Sequence, residues 1–181
     1  MAYDGRKSAS WCRGHAKDRQ PFVDACAYFV SRGLAEGGLP QTNVWNLRGE
    51  EKAPQGTVLG SPTARVADRL VHYLLDNKLA EARTVYEVSS TLPQPELPKT
   101  IPNARLGDVI AYKYYGTTSR YSHVAMVVNT RGGVPLISEW GTAHNCSLKC
   151  TYRRRRWYWS QNSRLPMDEL YDLVVTHVRM K

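Results

Sequence analysis

The chain has no run of about 18 apolar residues, so no membrane-crossing helix is expected. Its first residues, MAYDGRKSASW, lack the apolar stretch of a secretory leader. The expectation is synthesis in the cytoplasm without a signal peptide. Acidic residues are in short supply: 16 Asp and Glu stand against 25 Lys and Arg, for a net charge of +9. Such a balance points to an acidic partner, whether nucleic acid, anionic lipid or an anionic cell-wall polymer. Cysteine is sparse too, with Cys12, Cys26, Cys146 and Cys150 alone. If one of them is a reactive thiolate, an odd number remains, which argues against a dense disulfide framework. No internal repeat is present, so a stacked-repeat architecture is not expected.

What is present fits one domain over residues 1–181: 42% apolar and 23% charged residues are ordinary globular values. The stretch DACAYFVSRGL, residues 24–34, with Phe22 just ahead of it, puts Phe22, Cys26, Phe29, Val30 and Gly33 on one side at helical spacing. Gly37-Gly38 and Pro40 end that helix. Cys26 falls in its first turn, with Asp24 or Asp18 as a cap. There the helix dipole and the free N–H groups favour an anion, hence thiolate over thiol. A cysteine so placed is either a small buried hydrophobe or a nucleophile.

Upstream, residues 5–19 read as a short polar helix with Ala9, Trp11, Cys12 and Ala16 inward. Residues 39–62 read as a long loop anchored by Trp45. Ser61-Pro62 opens a further helix with Val66, Leu70, Tyr73 and Leu74 on its apolar face, ending near Asn77. Residues 79–89 are ambiguous between strand and turn. Four prolines in 92–103 require an extended connector, which divides a helical half (about 1–90) from a sheet half (about 104–181).

The second half opens with VIAYKYY and continues with the β-branched HVAMVVN, residues 123–129. Arg131-Gly132-Gly133 turns the chain, and VPLISEW, residues 134–140, returns antiparallel. Residues 151–159 suggest another strand and DLVVTHVRM a closing one. The fold class is therefore α+β, with N-terminal helices packed on an antiparallel sheet.

Pairing 123–129 with 134–140 sets positions summing to 262–264 opposite each other, so His123 and Glu139 become cross-strand neighbours. A thiol needs a base in reach and a group to orient that base. Cys26, His123 and Glu139 supply those types in that order.

Here the sequence resembles a known family. The pattern DACAYFVSRGLAEGG, a later Trp, RLGDVIAY, YSHVAMVV and PLISEW is similar to the NlpC/P60 and CHAP papain-like superfamily, closest to its bacterial amidase-like branch. The resemblance implies a papain-like fold and hydrolysis of amide bonds, usually in peptidoglycan. It implies Cys26 as nucleophile, His123 as base and Glu139 as the residue orienting the imidazole, with no cofactor and no metal. The Cys26 backbone N–H would supply part of an oxyanion hole, with the Tyr3 hydroxyl as a second donor. Two departures stand out. Ala27-Tyr28 stand where the branch has Thr-Asn, and Trp140 stands where it often has His. His144 and Asn145 are the alternatives to Glu139.

The implied partner is peptidoglycan or another anionic wall polymer, with an inhibitor or immunity protein and a secretion or lytic export route as companions. A protease, deamidase or acyltransferase could use the same three residues on protein or lipid. A nucleic-acid-binding module would instead use Arg153 to Arg156 and the aromatic residues around them. Trp45, Tyr114, Tyr115 and Trp140 are either groove-lining or plain packing aromatics. Cys12 and His15 with Cys146 and Cys150 have ligand types that suit zinc, but the spacing is loose. His72 and His177 sit in apolar periodic stretches and read as structural.

Overall fold

Asp4 begins the folded chain by accepting from the Arg6 and Lys7 backbone N–H groups, which caps α1, Gly5–His15. The structure is a computed structural model that describes residues 2–18, 25–49, 59–88, 98, 100–113, 120–140, 155–156 and 173–181. Along α1, Ala9 and Cys12 are buried and Trp11 half-buried, and Ala16 beyond it is buried as well. α2, Cys26–Glu36, follows and ends at Gly37, whose N–H reaches back to the Gly33 carbonyl. The glycine stop expected from the sequence is thus the observed one. Asp24 lies outside the described residues, and the position before the helix is Ala25, whose methyl offers no cap bond.

The single helix expected from Ser61 onward is two. α3, Pro62–Arg65, is capped by Ser61, and α4, Ala67–Asp76, starts after an extended Val66 (φ −112°, ψ 121°). The break turns Val66 outward, where it is exposed, and leaves Ala67, Leu70, Val71 and Leu74 as the buried face. Tyr73 is half-buried and Asn77 ends the helix, as expected. Residues 80–88 resolve their ambiguity as strand β1, Ala80–Val88. Strand structure therefore begins before the proline-rich connector, not after it.

The remaining strands are β2 (Val109–Lys113), β3 (His123–Asn129), β4 (Leu136–Ser138), β5 (Arg155–Arg156) and β6 (Leu173–Met180). They form one sheet in the order β1-β6-β2-β3-β4-β5, with every described pairing antiparallel. β6 does not close an edge: it runs between β1 and β2. Of the strand expected at 151–159, residues 155–156 pair with β4, and the rest lies outside the described residues.

β3 alternates between two cores. Val124, Met126 and Val128 join the core shared with α1, α2 and α4, while Ala125 and Val127 join a second one with Ile110, Tyr112, Ile137 and Val175. β3 is buried from His123 to Val128, as its unbroken apolar run requires. α1 and α2 pack on each other and on β3. At their contact a Cβ on Gly33 would strike Cys12 Sγ and approach Met126 Cε to 3.2 Å, so glycine permits the close approach. Trp45 is fully buried and donates Nε1–H to Ser31 Oγ at 3.1 Å, anchoring the loop after α2.

Candidate functional site

Three elements bring the sequence-derived residues together. Cys26 is the first residue of α2, His123 the first of β3, and Glu139 follows β4 directly. The observed register pairs Met126 with Ser138 and Val127 with Ile137 before an irregularity near Asn129. Continued one step, it sets Glu139 across from Ala125. Glu139 is then a diagonal neighbour of His123 on the same face and not the directly opposite residue expected. The side chains still meet: His123 Nε2 donates to Glu139 Oε2 at 2.6 Å, with the residues 0% and 2% exposed.

The other ring nitrogen, His123 Nδ1, is buried and has no hydrogen-bond partner at ordinary distance. Burial by itself disfavours a charged ring. The Glu139 carboxylate opposes it, and the nearby Cys26 sulfur acts in the same direction, so the imidazole pKa is pushed up to about 10. With Nε2 engaged by the carboxylate, Nδ1 is the nitrogen left for the thiol. Cys26 keeps 6% exposure, whereas Cys12 has none and burial drives its thiol pKa well up. Of the two described thiols, only Cys26 combines solvent access with an imidazole.

Tyr3 is not with them. Its hydroxyl donates within hydrogen-bond distance of Gly107 O (2.8 Å) and Ser8 Oγ (2.9 Å), and its ring meets the place a Cβ on Gly37 would occupy. Gly37 caps the far end of α2, about 15 Å from Cys26 at 1.5 Å per residue. The expected second oxyanion donor is therefore excluded by helix length. Trp140 packs its ring on Phe29 at 4.9 Å and donates Nε1–H to His15 O at 3.1 Å, so it and Trp45 are packing aromatics. Tyr114, Tyr115, His144, Asn145, Cys146 and Cys150 lie outside the described residues. Among the described residues no group of three His, Cys, Asp or Glu side chains could hold a metal ion. A cavity of about 750 Å³ lies at the α1 N-terminus, lined by Tyr3, Arg6, Arg105, Asp108 and Lys181 among others, and so belongs to the Tyr3 end.

Two features escaped the sequence reading. His177 does read as structural, but its partner was missed: Nε2 donates to Asp108 Oδ2 at 2.8 Å, both residues buried. An aspartate and a histidine each set in an apolar strand context are the available signal, because buried polar groups are found paired. His72 is not buried: its side chain is 55% exposed and stands beside Asp68. Asp68 in turn accepts from the Tyr121 backbone N–H at 2.9 Å, a contact with no local sequence signal.

A protein-family model described as "Putative amidase domain" matches residues 8–164. The chain belongs to that family. The matched span contains Cys26, His123 and Glu139, and the description suggests hydrolysis of an amide. No curated protein and no solved structure matches the chain.

Proposed function

We propose that this amidase-family chain is a papain-like cysteine hydrolase that cleaves an amide bond of peptidoglycan. The observation carrying the proposal is the buried 2.6 Å His123–Glu139 pair, with its second imidazole nitrogen left to the Cys26 thiol at the start of α2. Thiol, imidazole and carboxylate from three separate elements are the parts that acyl transfer through sulfur needs.

In this reading His123 holds the proton of the Cys26 thiol. The thiolate adds to the scissile carbonyl carbon, forming a C–S bond and moving the C=O π pair onto oxygen. The Cys26 backbone N–H, unmatched by any cap from Ala25, donates to that oxyanion. Collapse breaks the C–N bond, and His123 passes its proton to the departing amine. His123 then takes a proton from water, whose oxygen bonds to the thioester carbon. The C–S bond breaks with its pair returning to sulfur, the carboxylic acid departs, and the Cys26 thiolate and protonated His123 are restored. Glu139 holds the ring orientation and balances its charge throughout. The net charge of +9 suits an anionic wall polymer as substrate. Delivery by a secretion or lytic system, with an inhibitor held by the producer, completes the proposal.

Digestion of purified peptidoglycan by wild type and by Cys26→Ala, read by mass spectrometry, tests it. Defined fragments from wild type alone support the reading and name the bond. Fast iodoacetamide labelling of Cys26 without fragments overturns peptidoglycan and keeps the thiol chemistry. An inert Cys26 overturns both.

A further inference from the structure

The imidazole of His123 must serve Glu139 on one side and Cys26 on the other, so the backbone at the start of β3 has to be held in place. The ladder to β2 ends at Ser122, whose N–H donates to Tyr112 O at 2.8 Å. The next donor back, Tyr121 N–H, finds no strand. It crosses to α4 and donates to Asp68 Oδ1 at 2.9 Å, 53 residues away in sequence. The Tyr121 ring is gripped as well: His72 meets it edge-on at 6.1 Å, Lys113 Nζ lies 4.6 Å over its face, and its hydroxyl sits 3.4 Å from Thr176 Oγ1. Three elements, α4, β2 and β6, converge on the residue two before His123.

An acidic residue in the first turn of a helix ordinarily serves that helix's own dipole. Asp68 occupies such a position, yet its Oδ1 is spent on another element, and the side chain is 26% exposed. Resting on the cysteine–histidine reading above, we propose that Asp68 is a positioning residue that clamps Tyr121 and thereby sets His123 against Cys26. It acts through Tyr121 and touches no reacting atom. A displacement of about 1 Å in a catalytic group is enough to cost up to about 100-fold in rate.

The test is the rate of Cys26 alkylation by iodoacetamide in the full chain, read by peptide mass spectrometry so that Cys12 is counted separately. It needs no identified substrate. Asp68→Ala is expected to slow alkylation about tenfold, and Asp68→Asn, whose amide oxygen can still accept, to restore it to within about threefold of wild type. Asp68→Glu keeps the charge but moves the acceptor, and should be slower than Asp68→Asn. If the charge served only the α4 dipole, the order would reverse, with Asn as slow as Ala and Glu like wild type. That order, or a wild-type rate in Asp68→Ala, overturns the clamp. Should Asp68→Ala fail to fold, the Asn-to-Glu order decides. His123→Ala separates the two claims: if it slows alkylation while the Asp68 variants do not, the clamp alone fails. If His123→Ala has no effect, the cysteine–histidine reading fails and the clamp with it.

Discussion

Two histidine–carboxylate pairs flank one sheet, alike in distance and burial and different in what surrounds them. His123 meets Glu139 at 2.6 Å, His177 meets Asp108 at 2.8 Å, and all four residues are buried. Asp108, however, also accepts backbone N–H bonds from Arg105 at 2.8 Å and Met180 at 3.1 Å. It ties the end of β6 to the turn entering β2, and His177 completes its shell. His123 instead presents a second nitrogen with no hydrogen-bond partner at ordinary distance, beside a thiol at a helix start. Burial and a short contact are therefore shared by a knot that holds the fold and a pair suited to chemistry. What separates them is how each carboxylate is held and the thiol that stands beside His123.

Substitution should separate them sharply. Cys26→Ala or His123→Ala is expected to lower amide hydrolysis by about 10³-fold or more while the protein still melts cooperatively. His177→Ala should reduce the melting temperature, and its remaining folded fraction should alkylate Cys26 at the wild-type rate. A loss of thiol reactivity in folded His177→Ala would erase the distinction. Glu139→Gln should cost about 10²-fold to 10⁴-fold in rate, because the imidazole loses the partner that orients and charges it. Asp108→Ala should cost about 3–5 kcal/mol in urea unfolding, since it strands a buried histidine and two backbone N–H groups.

The pH dependence sharpens the contrast further. The folded-state pKa of His123 lies near 10, above the ordinary 6.5. A raised pKa means that folding favours the protonated ring. The stability it contributes is complete below about pH 6.5 and lost as pH rises through about 10. The urea-midpoint difference between wild type and His123→Ala should therefore shrink steadily from pH 7 to pH 10. A flat difference would mean that the ring is not charged in the native state. The smallest expected effect is His72→Ala, a change within about 0.5 kcal/mol in stability, because that side chain is mostly solvated.

Much of this was legible before folding because it rests on short-range rules. The Gly37 stop, the anchoring of Trp45 and the boundaries of β3 follow from local chemistry and apolar periodicity. The hairpin that joins His123 to Glu139 was legible from Arg131-Gly132-Gly133, where Gly132 and Gly133 take positive φ. Its register was not: the irregularity near Asn129 shifts the pairing by one residue, and Glu139 then falls across from Ala125 and not from His123. The split at Val66, the early start of the sheet at β1 and the interior place of β6 each depend on what packs against the segment, which no local pattern records.

The sequence by itself determined that a cysteine would open an amphipathic helix and that a histidine and a glutamate would come together across a tight hairpin. Those are matters of spacing and of turn chemistry. Only the tertiary structure decided which buried histidine lies beside a thiol. It also decided that Tyr3 lies a helix length from Cys26 and that Asp68 reaches Tyr121. Each of these is a contact between distant segments, set by how helices and sheet pack once apolar faces are buried, and side-chain type alone carries no record of it.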